Sequence, residues 1–244
     1  MNRITIAALA AACALVAGCG GGGGDDTGPP TTQPTSYPMV KPTVGATSVY
    51  TVTSVDDLNT TVVTSYRNQV ASVAADGSYA IDRDDPSNSG AAVNGIDYHT
   101  YPTVYAFSAT GRETSIASAS TGTGCTVAAL DAGHAVPWTI GQTFTETDGM
   151  TCTQNTDYTL AFTGSVSALE SVTVPAGTFN ALRMDIAETS ATPDGEHVAT
   201  TITLWVDPQH SFFTIKEVDV TTMTPAPARH YVVTRTTELQ SRTN

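Results

Sequence analysis

Cysteine is the residue whose chemistry can be argued furthest from spacing in this chain, and there are four: Cys13, Cys19, Cys125 and Cys152. The downstream pair stands alone. If the chain is exported, Cys125 and Cys152 are an even pair in an oxidising compartment and read as a disulfide. Closing that loop of about 28 residues would add roughly 3 kcal/mol by restricting the unfolded chain. A metal or redox dithiol is not supported, because there is no Cys-x-x-Cys and His134 between them lacks ligand spacing. His99, His134, His197, His210 and His230 are scattered over separate segments with no paired spacing. Asp82, Asp84, Asp85 and Asn88 sit together and could offer oxygen ligands to calcium, but not at the spacing of an EF-hand loop. There is no Gly-x-Ser-x-Gly, no P-loop and no His-Glu-x-x-His. Carboxylates paired across strands for glycoside hydrolysis would leave no trace in sequence. The expectation is a protein that is not an enzyme, with no catalytic residue, no metal and no cofactor.

Residues 1–18 have the layout of an export signal. Arg3 supplies the positive start, an apolar run follows over 4–16, and Ala17-Gly18 are the small residues a peptidase needs. The run is shorter than the ~20 residues that span a bilayer. Leu15-Val16-Ala17-Gly18-Cys19 resembles the lipobox of bacterial lipoproteins. That resemblance implies diacylglycerol on the Cys19 thiol, cleavage before Cys19 and acylation of the new amine. Each buried methylene adds about 0.8 kcal/mol, so two or three acyl chains make a lasting anchor where one would not. In the families this resembles, Asp after the lipidated cysteine favours the inner membrane, so Gly20 implies the outer membrane.

Residues 19–46 are expected to be a lipidated cysteine and a tether. Five glycines at 20–24 precede Asp25-Asp26 and a stretch rich in Pro and Thr, with no apolar periodicity from which to build a core. About 25 flexible residues reach roughly 25–30 Å, enough to clear the headgroups.

The remaining 47–244 must supply the folded domain. With 10 Lys+Arg against 23 Asp+Glu the chain carries a formal charge of −13. Such a surface repels phosphate backbones, which argues against nucleic acid as a partner, and it disfavours direct docking on anionic lipid. Thr is the commonest residue, and Leu and Lys are scarce. That composition suits pleated sheet, where β-branched side chains pack well. Apolar residues alternate at Leu182, Met184 and Ile186, and again at Ile202, Leu204 and Val206, while no dozen-residue window shows a helical stripe. Phe213 and Ile215 lie on one phase and Val218 and Val220 on the other, which predicts a bulge near Lys216. Asp76-Gly77, Asp148-Gly149 and Pro175 to Gly177 punctuate the runs. The expected fold is all-β: a single antiparallel, strongly curved sheet of roughly ten strands with little helix. With nothing to cover its buried face, that sheet must wrap into a half-barrel or barrel-like sandwich.

One stretch carries a family likeness. Val174-Pro175-Ala176-Gly177-Thr178-Phe179 leads into Ala181-Leu182-Arg183, and Leu204-Trp205-Val206-Asp207-Pro208 precedes Ile215-Lys216. This resembles a group of uncharacterised bacterial envelope lipoproteins, distantly similar to lipoprotein-carrier and lipid-binding half-barrels. Pro137-Trp138-Thr139-Ile140-Gly141-Gln142 matches the Trp-x-x-Gly that often precedes the pattern, and Gly45 to Tyr50 is a weaker version, hinting at two related halves. Two classes of function remain, and the first is a binding module in which the concave side of the curved sheet holds an apolar ligand or lipid, with Phe162, Trp205 and Phe213 as candidate cavity lining. The alternative is an assembly role, docking onto another envelope protein by a surface or an edge strand.

Overall fold

The computed structural model describes residues 36–84, 102–118, 124–129, 136–153, 157–191, 197–210, 213–224 and 231–243, with backbone alone at 92–93 and 96–97. Cys19 and the rest of residues 1–35 lie outside the described residues. The first strands are β1 (Ser36–Tyr37), β2 (Thr47–Asp56), β3 (Thr61–Val73), β4 (Tyr79–Asp84), β5 (Ala92–Val93) and β6 (Ile96–Asp97). Then come β7 (Thr103–Phe107), β8 (Glu113–Ser118), β9 (Gly124–Ala129), β10 (Trp138–Thr139) and β11 (Thr143–Cys152). The last five are β12 (Asp157–Val174), β13 (Gly177–Ala191), β14 (His197–Asp207), β15 (Phe213–Thr224) and β16 (Tyr231–Thr243).

Twelve of these close into one antiparallel barrel, in the order β11-β12-β13-β14-β15-β16-β2-β3-β4-β7-β8-β9. The chain meanders up and down, and the barrel shuts where β16 pairs with β2 and β9 with β11. The expected curved antiparallel sheet is present, with two strands more than anticipated and closed rather than half-open. β8 and β9 are the strands the apolar pattern does not announce: Glu113–Ser118 and Gly124–Ala129 are mostly Ser, Ala, Thr and Gly, with Glu113 and Ile116 in the first and Cys125 and Val127 in the second. They are held by ladder hydrogen bonds to neighbours rather than by an apolar face of their own.

Side chains paired across a ladder share a face. Tyr50, Val70, Val166, Leu182, Ile215 and Leu239 are fully buried and mark the inner face. They cluster toward the end of the barrel that carries the turns at 74–78, 108–112 and 139–142. There Tyr37 of β1 pairs with Trp138 of β10, and both join the core with Val166, Leu182, Met184 and Val206. The tip of the β12–β13 hairpin closes onto the same end: Ala176 N–H donates to the Leu239 carbonyl, and Val172, Val174 and Phe179 pack with Tyr50 and Ile215. Toward the opposite end the inner face turns polar, with Ser54, Asp56, Thr64, Asp219, Thr221 and Thr237 all buried.

Two expectations need correction. The expected tether, 19–46, extends too far: Tyr37 and Ala46 are buried and Met39 and Pro42 line the interior, so the fold takes up chain from Ser36 onward. The bulge does sit beside Lys216, where Trp205 pairs with Lys216 but Val206 with Thr214. It does not, however, turn Val218 and Val220 inward. The buried parity runs on through Glu217, Asp219 and Thr221, because Asp219 and Thr221 are buried while Val220 between them is only half-buried.

Candidate functional site

Inside the apolar end is a cavity of about 270 Å³. Tyr50, Tyr79, Ile81 and Phe107 line one side, and Trp138, Met184, Leu204 and Val206 stand opposite, with Met39, Pro42 and Phe213 completing the wall. Strand alternation positions most of these: Tyr79 and Ile81 are two apart on β4, and Met184, paired with Leu204, lies two from Leu182, paired with Val206. The ring of Tyr79 stacks on Phe107 at 4.8 Å between centroids, and Tyr50 stacks on Tyr66 at the same distance. Burial pushes the phenols of Tyr50 and Tyr79 up to about 12, so both are neutral at any physiological pH. Tyr50 donates its hydroxyl proton to the Thr214 carbonyl at 3.1 Å.

One cation reaches this space. Arg83 follows Tyr79 and Ile81 on the inner face of β4, and its guanidinium lies 4.2 Å from the centre of the Tyr66 ring and 4.6 Å from that of Tyr105. Its Nε donates to Asn68 Oδ1 at 3.0 Å and its Nη1 to the Tyr105 hydroxyl at 3.0 Å. These partners are neutral. Among the described residues no carboxylate comes within ion-pairing distance of Arg83, and its Nη2 has no hydrogen-bond partner.

Acids lie farther along the interior. Burial raises Glu113 to about 7, offset in part by Arg83 and reinforced by Asp148. Burial likewise raises Glu188, Glu217 and Asp219; the Asp219 charge pushes Glu188 and Glu217 further up, while Arg235 and a hydrogen bond from Thr221 pull Asp219 back in part. Asp219 has a distant counter-charge in Arg235, at 3.9 Å. Arg112 binds Asp148 and also reaches Glu146 at 2.6 Å, tying the β7–β8 turn to β11. Among the described residues no three His, Cys, Asp or Glu side chains form a metal-binding group.

The residues singled out from sequence separate on this frame. Phe213 lines the cavity. Trp205 is on the other face of β14: its Nε1 donates to Glu170, Arg183 sits 5.8 Å from its ring, and it packs against the hairpin tip. Phe162 is half-buried on the inner face, in register with Glu146 and Glu188, but does not line the cavity. Cys125 and Cys152 are directly opposite one another on β9 and β11 and form a disulfide. Asp82 and Asp84 are on β4, with Asp84 bound to Arg67, while Asp85 and Asn88 lie outside the described residues. Sequence reasoning passed over Arg83. Its one available signal was phase, since it stands two and four residues after Ile81 and Tyr79 in an alternating run.

No family model matches the chain, and no curated protein matches it. Three solved chains show a loose structural likeness. One, from Bacteroides fragilis, is thought to be exported and has a YmcC-like fold; it is 12% identical with a TM-score of 0.47, over 85% of this chain and 100% of that one. A second, thought to be a lipoprotein of Parabacteroides distasonis, is 13% identical with a TM-score of 0.47, over 86% of this chain and 100% of that one. The third is the hypothetical lipoprotein YmcC of Escherichia coli K12, at 12% identity and a TM-score of 0.38, over 79% of this chain and 87% of that one. Likeness of this degree carries no argument about function.

Proposed function

We propose that this chain is an envelope lipoprotein, anchored through lipid on Cys19, whose barrel binds a small and mainly apolar ligand without doing chemistry on it. The cavity of about 270 Å³ carries the binding half of this reading. Protein interiors are ordinarily close-packed, and unfilled volume costs stability. A space walled by Tyr50, Tyr79, Phe107 and Trp138 with a few polar groups has the make-up of a ligand pocket. It falls just below the ~300–1,000 Å³ range for drug-sized ligands, so the ligand is small. The anchor rests on the lipobox-like Leu15 to Cys19, and Gly20 favours the outer membrane.

Docking onto an envelope partner has less support. Closure leaves the twelve barrel strands without a free edge on which a partner strand could add. Such docking would have to use a side-chain surface instead.

Two measurements test the reading. Metabolic labelling with a radioactive fatty acid should mark the protein, and a Cys19→Ser variant should lose the label and the membrane. A neutral fluorescent probe, 1-N-phenylnaphthylamine, should bind the full chain in nanodiscs and be weakened by filling the pocket with Val206→Trp. Unlabelled wild-type protein would sink the anchor; probe binding unchanged by the filled pocket would sink the cavity.

A further inference from the structure

We propose that the cavity takes an apolar acid, a single short chain or ring system carrying one anionic group, and that Arg83 is the residue that binds that group. This deepens the binding function proposed above and rests on it.

Among the described residues, Arg83 is a cation with no ion-pair partner. Arg83 contributes to the wall of an otherwise mainly aromatic and aliphatic cavity. Arg83 is half-buried, and drawing a charge even partly out of water has a cost unless an opposite charge or a full set of hydrogen bonds replaces the solvent. Two tyrosine faces and two neutral acceptors, Asn68 Oδ1 and the Tyr105 hydroxyl, hold the guanidinium in place. They fix its plane without cancelling its charge. Among the described residues Nη2 is left without a hydrogen-bond partner, open to an entering group.

The acids inside the barrel do not do this work. Glu113 and Glu217 feel Arg83 electrostatically, yet neither lies within ion-pairing distance, and burial holds both toward the neutral form. The contrast with Arg112 is informative, since that arginine is paired with Glu146 and Asp148 in the same interior. The fold thus has the means to neutralise an internal arginine and leaves Arg83 open. A guanidinium presents its donors in a planar fork that suits carboxylate and phosphate oxygens. The aromatic clamp by Tyr66 and Tyr105 presets that plane, which lowers the entropy lost on binding. The size of the space argues for one short apolar group and against the two acyl chains of a diacyl lipid.

Trp138 lines the cavity and Trp205, the other of the two tryptophans, does not, so a Trp205→Phe chain reports the cavity through its remaining indole. That full-length chain, in lipid nanodiscs, is titrated with octanoate, octyl phosphate, octanamide and octylamine while tryptophan emission is followed. At least one of the two acids should bind about tenfold or more tighter than octanamide, and octylamine should be weakest; the tighter acid identifies the head group. Arg83→Met should erase the preference for acid over amide while leaving octanamide binding in place, and Arg83→Lys should keep part of it. Equal affinity for acids and amide in the parent chain overturns the proposal without any variant, and so does an acid preference that survives Arg83→Met. If none of the four ligands perturbs Trp138 and the neutral probe fails as well, the cavity reading itself falls, and this assignment with it.

Discussion

Val70 and Val166 hold equivalent places in the barrel. Gly45 N–H donates to the Val70 carbonyl at 2.8 Å and Val70 N–H to the Ala46 carbonyl at 2.9 Å; Gly141 N–H donates to the Val166 carbonyl at 2.8 Å and Val166 N–H to the Gln142 carbonyl at 2.9 Å. Immediately after each valine the ladder shifts register, between Val70 and Ser72 and between Val166 and Ala168. The strands β2, β3, β4, β7, β8 and β9 and the strands β11 to β16 are therefore two six-stranded halves that enter the barrel by the same device.

That device depends on backbone handedness. Gly45 and Gly141 have φ of 85° and 88°, and a Cβ at either would meet nothing within 4 Å. Substitution is thus a matter of strain alone, at about 1–3 kcal/mol for a non-glycine in that region. Gly45→Ala and Gly141→Ala should each lower stability by about that amount, with Asn milder than Ala. Chemical denaturation checks this, and an unchanged midpoint for both variants would contradict it.

The disulfide joins the seam between the halves, bridging β9 and β11. Its loop spans a sequence separation of 27. Replacing both Cys125 and Cys152 by Ser should cost roughly 3–4 kcal/mol by freeing the unfolded chain. Denaturant midpoints with and without reductant measure it, and the reduced wild type should match the double variant.

Glu113 gives the barrel a pH dependence of definite sign. Its folded pKa, raised by burial to about 7, lies above its ordinary value of 4.5. Between those values the folded state holds a proton the unfolded state has released, so stability falls as pH rises through that window. The loss is complete above about pH 7 and amounts to at most about 3 kcal/mol. Glu113→Gln should flatten this slope and melt higher than wild type at pH 8. Melting curves at pH 5 and pH 8 decide it; an identical slope in the variant would count against the assignment.

Asp207 works in the opposite direction. Burial alone would raise its carboxyl, but hydrogen bonds from Arg242, the Gln209 backbone and His210 outweigh burial and hold it below the usual range. Arg242 reaches it at 2.6 Å and also lies 4.9 Å from the Phe179 ring, which ties the end of β16 to the hairpin tip. This contribution is present above the ordinary aspartate pKa of about 4 and is lost as pH falls through the lower folded value. Arg242→Ala strands a buried carboxylate and should cost about 3 kcal/mol at pH 7. Much of that difference should vanish in acid, where Asp207 is protonated in both proteins.

How far the fold could be read ahead depends on the strand. Leu182, Met184 and Ile186, with Ile202, Leu204 and Val206, announce an inner face because strand geometry alternates sides every residue and these positions are apolar. On β15 the same rule misleads. Val218 and Val220 look like a core face, yet Glu217, Asp219 and Thr221 take the inside. The interior is polar at that level, so apolarity no longer marks the direction of burial. Trp205 misleads for a related reason: an aromatic between Leu204 and Val206 has the opposite parity, and its shelter comes from the β12–β13 hairpin folding back, a long-range contact.

Taken alone, the sequence determined an all-β antiparallel domain and brought Cys125 and Cys152 forward as a disulfide pair. Each of these follows from residue type and local spacing. Whether the sheet stayed open or closed, where volume was left unfilled, and which arginine went without a counter-ion were decided only in three dimensions. Closure needs β2 to find β16 across nearly the whole domain. Among the described residues Arg83 has no ion-pair partner because of which side chains β3, β7 and β8 bring beside β4, and no local spacing records that.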